Sequence, residues 1–110
     1  MNNIKLSVVI PVFNEEDSLA ELVRALSKTF SKNPETTELI FVDDGSKDHS
    51  YQRLHELAAQ NKRVKIVKLL SNYGQSTALA AGIEQAQGKY IVTMDCDGQH
   101  DPRDIVHLVE

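Results

Sequence analysis

The feature that most constrains this 110-residue sequence is an alternation of two hydrophobic rhythms. Leu6-Ser7-Val8-Val9-Ile10, Leu39-Ile40-Phe41-Val42 and Tyr90-Ile91-Val92-Thr93-Met94 are short, mostly apolar and β-branched. Runs of this kind predict strands buried on both faces. Val64 to Leu69 is interrupted by Lys65 and Lys68, which predicts a more exposed strand near a sheet edge. Between the runs lie helical stripes. Leu19, Leu22, Val23, Leu26 and Phe30 share one face, as do Tyr51, Leu54, His55 and Ala58, and then Leu79, Gly82, Ile83 and Ala86. The small residues of the third stripe let its helix lie close to a sheet, and Gly88 is placed as its C-terminal stop. Strands alternating with helices predict an α/β fold made of βαβ units, with a parallel sheet and right-handed crossovers.

Composition removes several alternatives. Hydrophobic residues at 41% and charged residues at 25% are ordinary for a globular domain. A formal charge of −4 is mild and of the wrong sign for a nucleic-acid binder. The single cysteine, Cys96, excludes an intramolecular disulfide and fits a reducing, cytoplasmic setting. No apolar run approaches the roughly 20 residues of a membrane-spanning helix. Leu6 to Phe13 is too short for a signal peptide and contains Pro11. At the other end, Asp101-Pro102 reads as a helix start, yet the stripe Ile105, Leu108 and Val109 stops at Glu110. This predicts the N-terminal portion of a longer protein.

The acids are clustered. Glu15, Glu16 and Asp17 form one group, Asp43, Asp44 and Asp48 a second, and Asp95, Asp97, Asp101 and Asp104 a third. Without these ten, the chain has six acids against twelve bases. Opposition to helix dipoles accounts for Asp17, Asp48, Asp101 and Asp104, but poorly for the Asp95–Asp97 pair. Each cluster follows a predicted strand, so all three should converge on the rim where parallel sheets bind ligands. Carboxylates crowded there repel one another unless a cation is present.

Asp95-Cys96-Asp97-Gly98-Gln99 is the sharpest motif. In an extended segment Asp95, Asp97 and Gln99 face one way, offering three oxygen ligands to a hard cation such as Mg²⁺, while Cys96 points into the packing. A bare D-x-D is common by chance, and an Asp-Gly turn would also produce it. Asp43-Asp44-Gly45-Ser46 is either a turn before the second helix or a carboxylate presented to a ribose or base. Pro11-Val12-Phe13-Asn14-Glu15 reads as a helix approach with Asn14 as N-cap. Tyr73-Gly74-Gln75 opens the third helix and could offer N–H groups to a phosphate. Neither nucleotide-binding glycine fingerprint occurs in the sequence.

Ser7 to Glu15, Val42 to Asp48 and the Asp95-x-Asp97-x-Gln99 segment together resemble the three successive signatures of glycosyltransferase family 2. Asn72-Tyr73-Gly74-Gln75 resembles the branch of dolichol-phosphate mannose synthase and the bacterial polyprenyl-phosphate glycosyltransferases. The resemblance implies a Rossmann-like GT-A half, with strand order 3-2-1-4 and helices on both faces. It implies an inverting, metal-dependent transfer of sugar from a UDP- or GDP-sugar to an acceptor, with polyprenyl phosphate expected. Residues 1–110 would be the nucleotide-sugar-binding part, without the acceptor half and inactive alone. Pro11, Val12, Glu15, Asp43 and Asp95 would bind the nucleotide. Asp95 and Asp97 would be the catalytic carboxylates, and Asp97 with Gln99 would hold Mg²⁺ or Mn²⁺. Gly98 departs from the leucine often found there. The implied location is cytoplasmic, at the cytoplasmic face of the membrane, with membrane contact through a missing C-terminal region.

Two other readings remain open on the residues alone. Ile91 to Gly98 also resembles the strand-D-x-D-G signature of haloacid-dehalogenase-type phosphotransferases, with Asp95 as nucleophile and Asp97 as acid/base. Against this, Gln99 stands where threonine is expected, and the other acids lie upstream. The remaining alternative is a nucleotide-sugar-binding module without catalysis.

Overall fold

The computed structural model describes residues 4–30 and 36–96. They form seven alternating elements: β1 (Leu6–Val12), α1 (Leu19–Thr29), β2 (Thr37–Asp43), α2 (Ser50–Gln60), β3 (Val64–Lys68), α3 (Gln75–Gln85) and β4 (Tyr90–Thr93). All strand pairs are parallel, in the order β3-β2-β1-β4. The α/β class and the 3-2-1-4 order are thus as the sequence and its resemblance led us to expect. Lysine-interrupted β3 lies at an edge of the sheet.

Successive strand residues point to opposite faces, so each central strand feeds two cores. Val8, Ile10 and Val12 of β1 join Leu39 and Phe41 of β2 on one face, under Leu19, Leu22, Val23 and Leu26 of α1 and Leu54 of α2. Val9, Ile40 and Val42 point the other way and meet Ala78 of α3. Each fully buried Leu, Ile or Phe here contributes roughly 1.5–3 kcal/mol. α3 lies very close to the sheet. A Cβ on Gly82 would stand 2.4 Å from Val9 Cγ1 and 2.8 Å from Val42 Cγ2.

Local details depart from the sequence reading in four places. β4 is the second edge of the sheet, so Tyr90, Ile91 and Thr93 are exposed and only Val92 is buried. A β-branched run is buried on both faces only where both are covered. In α2 the inward residues are Leu54, Leu57 and Ala58, while His55 is exposed and meets Tyr51 edge to face at 5.7 Å. In α3 the buried pair is Ala78 and Gly82, and Ile83 is 42% exposed because the Gly82 contact sets the helix's rotation. Finally, α3 ends at Gln85 with extended Ala86 as its C-cap, so Gly88 is no helix stop. A Cβ there would lie 2.6 Å from Ser7 Oγ, so glycine serves close approach to β1.

Candidate active site

The winding of the sheet reverses at β1, which has β2 on one side and β4 on the other. Pairing with β2 continues from Leu6 to Val12, whereas pairing with β4 stops at Val9. The sequence explains the difference. The Val9 carbonyl accepts the Met94 N–H at 3.1 Å, and the Val12 carbonyl accepts the Asp44 N–H at 2.8 Å. Odd-numbered residues of β1 at this end therefore turn their backbone groups toward β4. Pro11 is the next odd residue and has no N–H to donate. Pro11 lines a cavity of about 430 Å³, in the range of small-molecule sites. It opens at the C-terminal ends of the strands, beside the switch point, where α/β folds place ligands.

Pro11, Val12 and Phe13 line the β1 side, with Glu15 beyond them; Asp95 and Cys96 form the β4 side. The fold thus brings together Pro11, Val12, Glu15 and Asp95, four of the residues singled out in the sequence. Asp43 is placed differently: it is 1% exposed and does not line the cavity. Its Oδ1 accepts the Ser46 N–H at 3.1 Å, and its carbonyl accepts the Leu69 N–H at 2.9 Å. Asp97 and Gln99, like the Asp101-Pro102 helix start, lie outside the described residues. Cys96 is buried, as its position between the two aspartates implied.

Asp44 carries more of this site than the sequence reading gave it. It is 3% exposed, and its carboxylate clasps the turn before α3. Oδ1 accepts the Tyr73 N–H at 2.8 Å; Oδ2 accepts the Gly74 N–H at 3.0 Å and Asn72 Nδ2 at 3.1 Å. Two backbone donors of Tyr73-Gly74-Gln75 therefore already serve a protein carboxylate, not a phosphate. Gly45 makes the clasp possible. It has φ +70°, and a Cβ would stand 2.4 Å from the Ser71 carbonyl carbon and 2.5 Å from Asn72 N. The signal was present in the sequence as Asp-Asp-Gly followed later by Asn-Tyr-Gly, but only the fold pairs them.

The loop after β1 is tied to the loop after β2. Asn14 is not the N-cap of α1; it sits at φ +54°, and its Oδ1 accepts the N–H groups of Lys47 at 2.8 Å and Asp48 at 3.4 Å. Asparagine tolerates this left-handed backbone better than most residues. The Asn14 N–H donates to Ser46 Oγ at 3.0 Å and the Glu15 N–H to Ser50 Oγ at 2.8 Å. Burial pushes the Asp48 pKa up, but hydrogen bonds from the Ser50 hydroxyl and from the N–H groups of Ser50 and Glu16 outweigh it. They hold the carboxyl below its ordinary value of 3.8.

Glu15 and Asp95 line the cavity, and carboxylate oxygens are hard donors of the kind that suit Mg²⁺ or Mn²⁺. Among the described residues no three His, Cys, Asp or Glu groups are gathered closely enough to hold a metal ion alone.

The sequence profile of "Glycosyl transferase family 2" matches residues 7–110. The chain belongs to glycosyl transferase family 2. An undecaprenyl-phosphate 4-deoxy-4-formamido-L-arabinose transferase of Pseudomonas fluorescens (strain SBW25) is 44% identical over 106 residues, covering 96% of this chain and 31% of that protein. A dodecaprenyl-phosphate galacturonate synthase of Rhizobium johnstonii is 40% identical over 110 residues, covering 99% of the chain and 32% of that protein. This family 2 chain thus spans about a third of the length of those relatives. Among solved structures, the mannosyltransferase PcManGT from Pyrobaculum calidifontis, in complex with GDP-Man and Mn²⁺, superposes with a TM-score of 0.81 at 21% identity. The match covers 93% of this chain and 30% of that one, and it shows a shared fold. Membership of family 2 sets aside the haloacid-dehalogenase alternative.

Proposed function

We propose that this chain is the donor-binding part of a glycosyltransferase that moves a sugar from a nucleoside-diphosphate sugar to a polyprenyl phosphate. The observation that carries the reading is the cavity at the switch point, lined by Pro11, Val12 and Phe13 after β1 and by Asp95 after β4. The names of the family 2 relatives, which act on undecaprenyl or dodecaprenyl phosphate, support the acceptor class.

The residues divide the work by their chemistry. Phe13 is 41% exposed at the cavity wall and offers a ring face to a nucleobase. Pro11 gives the nucleoside an apolar floor, and Val12 supports it from the core, where it is fully buried. Asp43, buried beneath, holds the Asp-Gly turn; Asp44 holds the turn before α3. Asp95 faces the diphosphate, and Asp97 with Gln99 follows it in sequence to supply the remaining oxygens toward Mg²⁺ or Mn²⁺. When bound, the cation would stabilise the negative charge that grows on the leaving diphosphate. Inversion at the sugar carbon requires the acceptor to approach from the face opposite the diphosphate. The residues that orient the acceptor belong to a region beyond those described. We place the protein at the cytoplasmic side of a membrane, where a lipid-linked acceptor is reachable.

Calorimetry of UDP and GDP, each with and without Mn²⁺, tests the reading on the native chain and Asp97→Ala. One nucleotide should bind at least tenfold more tightly with Mn²⁺, and Asp97→Ala should remove that gain. Equal affinity under all conditions contradicts it.

A further inference from the structure

Gln75, the first residue of α3, stands on one wall of the cavity and reaches the other. Its Nε2 donates to Asp95 Oδ1 at 2.9 Å. Gln75 is exposed, so no buried group obliges this bond to form. Its place is set from behind by the Asp44 clasp on Asn72, Tyr73 and Gly74. Gly74 completes the turn at φ +101°, with nothing within 4 Å of where a Cβ would be. One continuous chain of contacts therefore runs from the Asp-Gly turn after β2, through the start of α3, to the carboxylate after β4.

The chemistry of the amide matters. Lysine at this position would neutralise Asp95 and compete with a cation, while a carboxylate would repel it. A neutral amide donor holds one carboxylate oxygen and leaves the negative charge in place. We propose that Gln75 is a positioning residue that fixes the orientation of Asp95 toward a metal-bound diphosphate, with Asp44 setting the turn from which it reaches. This rests on the cavity being a nucleoside-diphosphate site. It adds to that reading a residue outside the acidic motifs and gives the Asn-Tyr-Gly-Gln segment a role.

The test pairs a binding measurement with one that needs no nucleotide. Gln75→Leu keeps the approximate size and removes the donor; Gln75→Asn keeps the amide but shortens its reach. The position is exposed, so the core is spared in both variants. With Mn²⁺ present, each variant should lose about threefold to tenfold in UDP or GDP affinity, and distinctly less without Mn²⁺. In the metal-free native chain, the Gln75 side-chain amide resonance should move when Asp95→Ala or Asp44→Asn is introduced. Native affinity in both Gln75 variants overturns the proposal. So does an equal loss with and without metal, or an amide resonance indifferent to Asp95→Ala. If the native chain binds neither nucleotide, the functional reading falls, and the amide resonance alone then decides the pairing.

Discussion

At the N-terminal end of the strands, Glu38 is 3% exposed and spends its carboxylate inside the fold. Ser7 Oγ donates to its Oε2 at 2.6 Å and the Gln87 N–H at 2.7 Å, while the Gly88 N–H donates to Ser7 Oγ at 2.8 Å. At the C-terminal end Asp44 is equally buried and also collects backbone donors, from the turn before α3. Both ends border a cavity: about 660 Å³ beside Glu38, Lys62, Arg63 and Lys65 at the first, and about 430 Å³ beside Asp44, Glu15 and Asp95 at the second. The same device, a buried carboxylate satisfied by N–H groups, locks β1, β2 and the approach to β4 at one end and shapes a site at the other. Surface charge separates the ends further. Exposed Lys5, Lys62, Lys65 and Lys89 lie toward the first, while at the second Glu15, Glu16, Asp17 and Asp95 outnumber the exposed Lys47 and Lys68. An anionic ligand alone would favour the basic end. Under the proposed function, a diphosphate at the acidic end would need a cation between the like charges.

The difference can be broken in steps. Gly45→Ala should have the largest effect, roughly 4 kcal/mol of destabilisation in denaturant unfolding. It forces alanine into a left-handed backbone and sets its Cβ against the chain at Ser71 and Asn72. Gly74→Ala, with a positive φ but open space, should cost only about 1–2 kcal/mol. Similar losses in the two would mean that the close approach at Gly45 is not what holds the turn.

Glu38→Ala comes next. It strands the Ser7 hydroxyl and the Gln87 N–H, at a cost of about 2–3 kcal/mol, while nucleotide affinity should stay near native. Asp44→Asn should do the converse. Asparagine keeps one acceptor oxygen but presents an NH₂ to an N–H, so nucleotide affinity falls several-fold for a stability loss of about 1 kcal/mol. If both substitutions changed affinity alike, the two ends would not be functionally distinct.

The smallest effect concerns Asp48. Its folded pKa lies below the unfolded one, so its ionised form stabilises the fold above the unfolded value. That contribution disappears as pH falls through the folded value. Below about pH 4, native stability should therefore decline more steeply than that of Asp48→Asn. Parallel pH profiles would remove Asp48 from the loop lacing.

The sheet was legible because its runs are short, apolar and separated by helical stripes. Even the edge position of β3 was written in Lys65 and Lys68. Helix rotations were harder, since Ile83 and His55 satisfy the periodicity but are exposed, while Ala78 and Leu57, outside the predicted stripes, satisfy the packing. The convergence of Glu15 with Asp95 followed from topology. The roles of Asp44, Asn14 and Gln75 did not, because each bonds to a segment on another loop, and local pattern carries no trace of such a partner. Asn14 shows the cost of reading locally: an asparagine before a helix looks like its cap, yet here it ties down the next crossover.

The most direct measurement is an NMR chemical-shift map of the chain titrated with UDP or GDP in the presence of Mg²⁺. Shifts should concentrate at Val12, Phe13, Glu15, Gly74, Gln75 and Asp95, and should be lost when Mg²⁺ is withheld. Shifts at Lys62, Arg63 and Lys65 instead, with or without metal, would contradict this placement of the site.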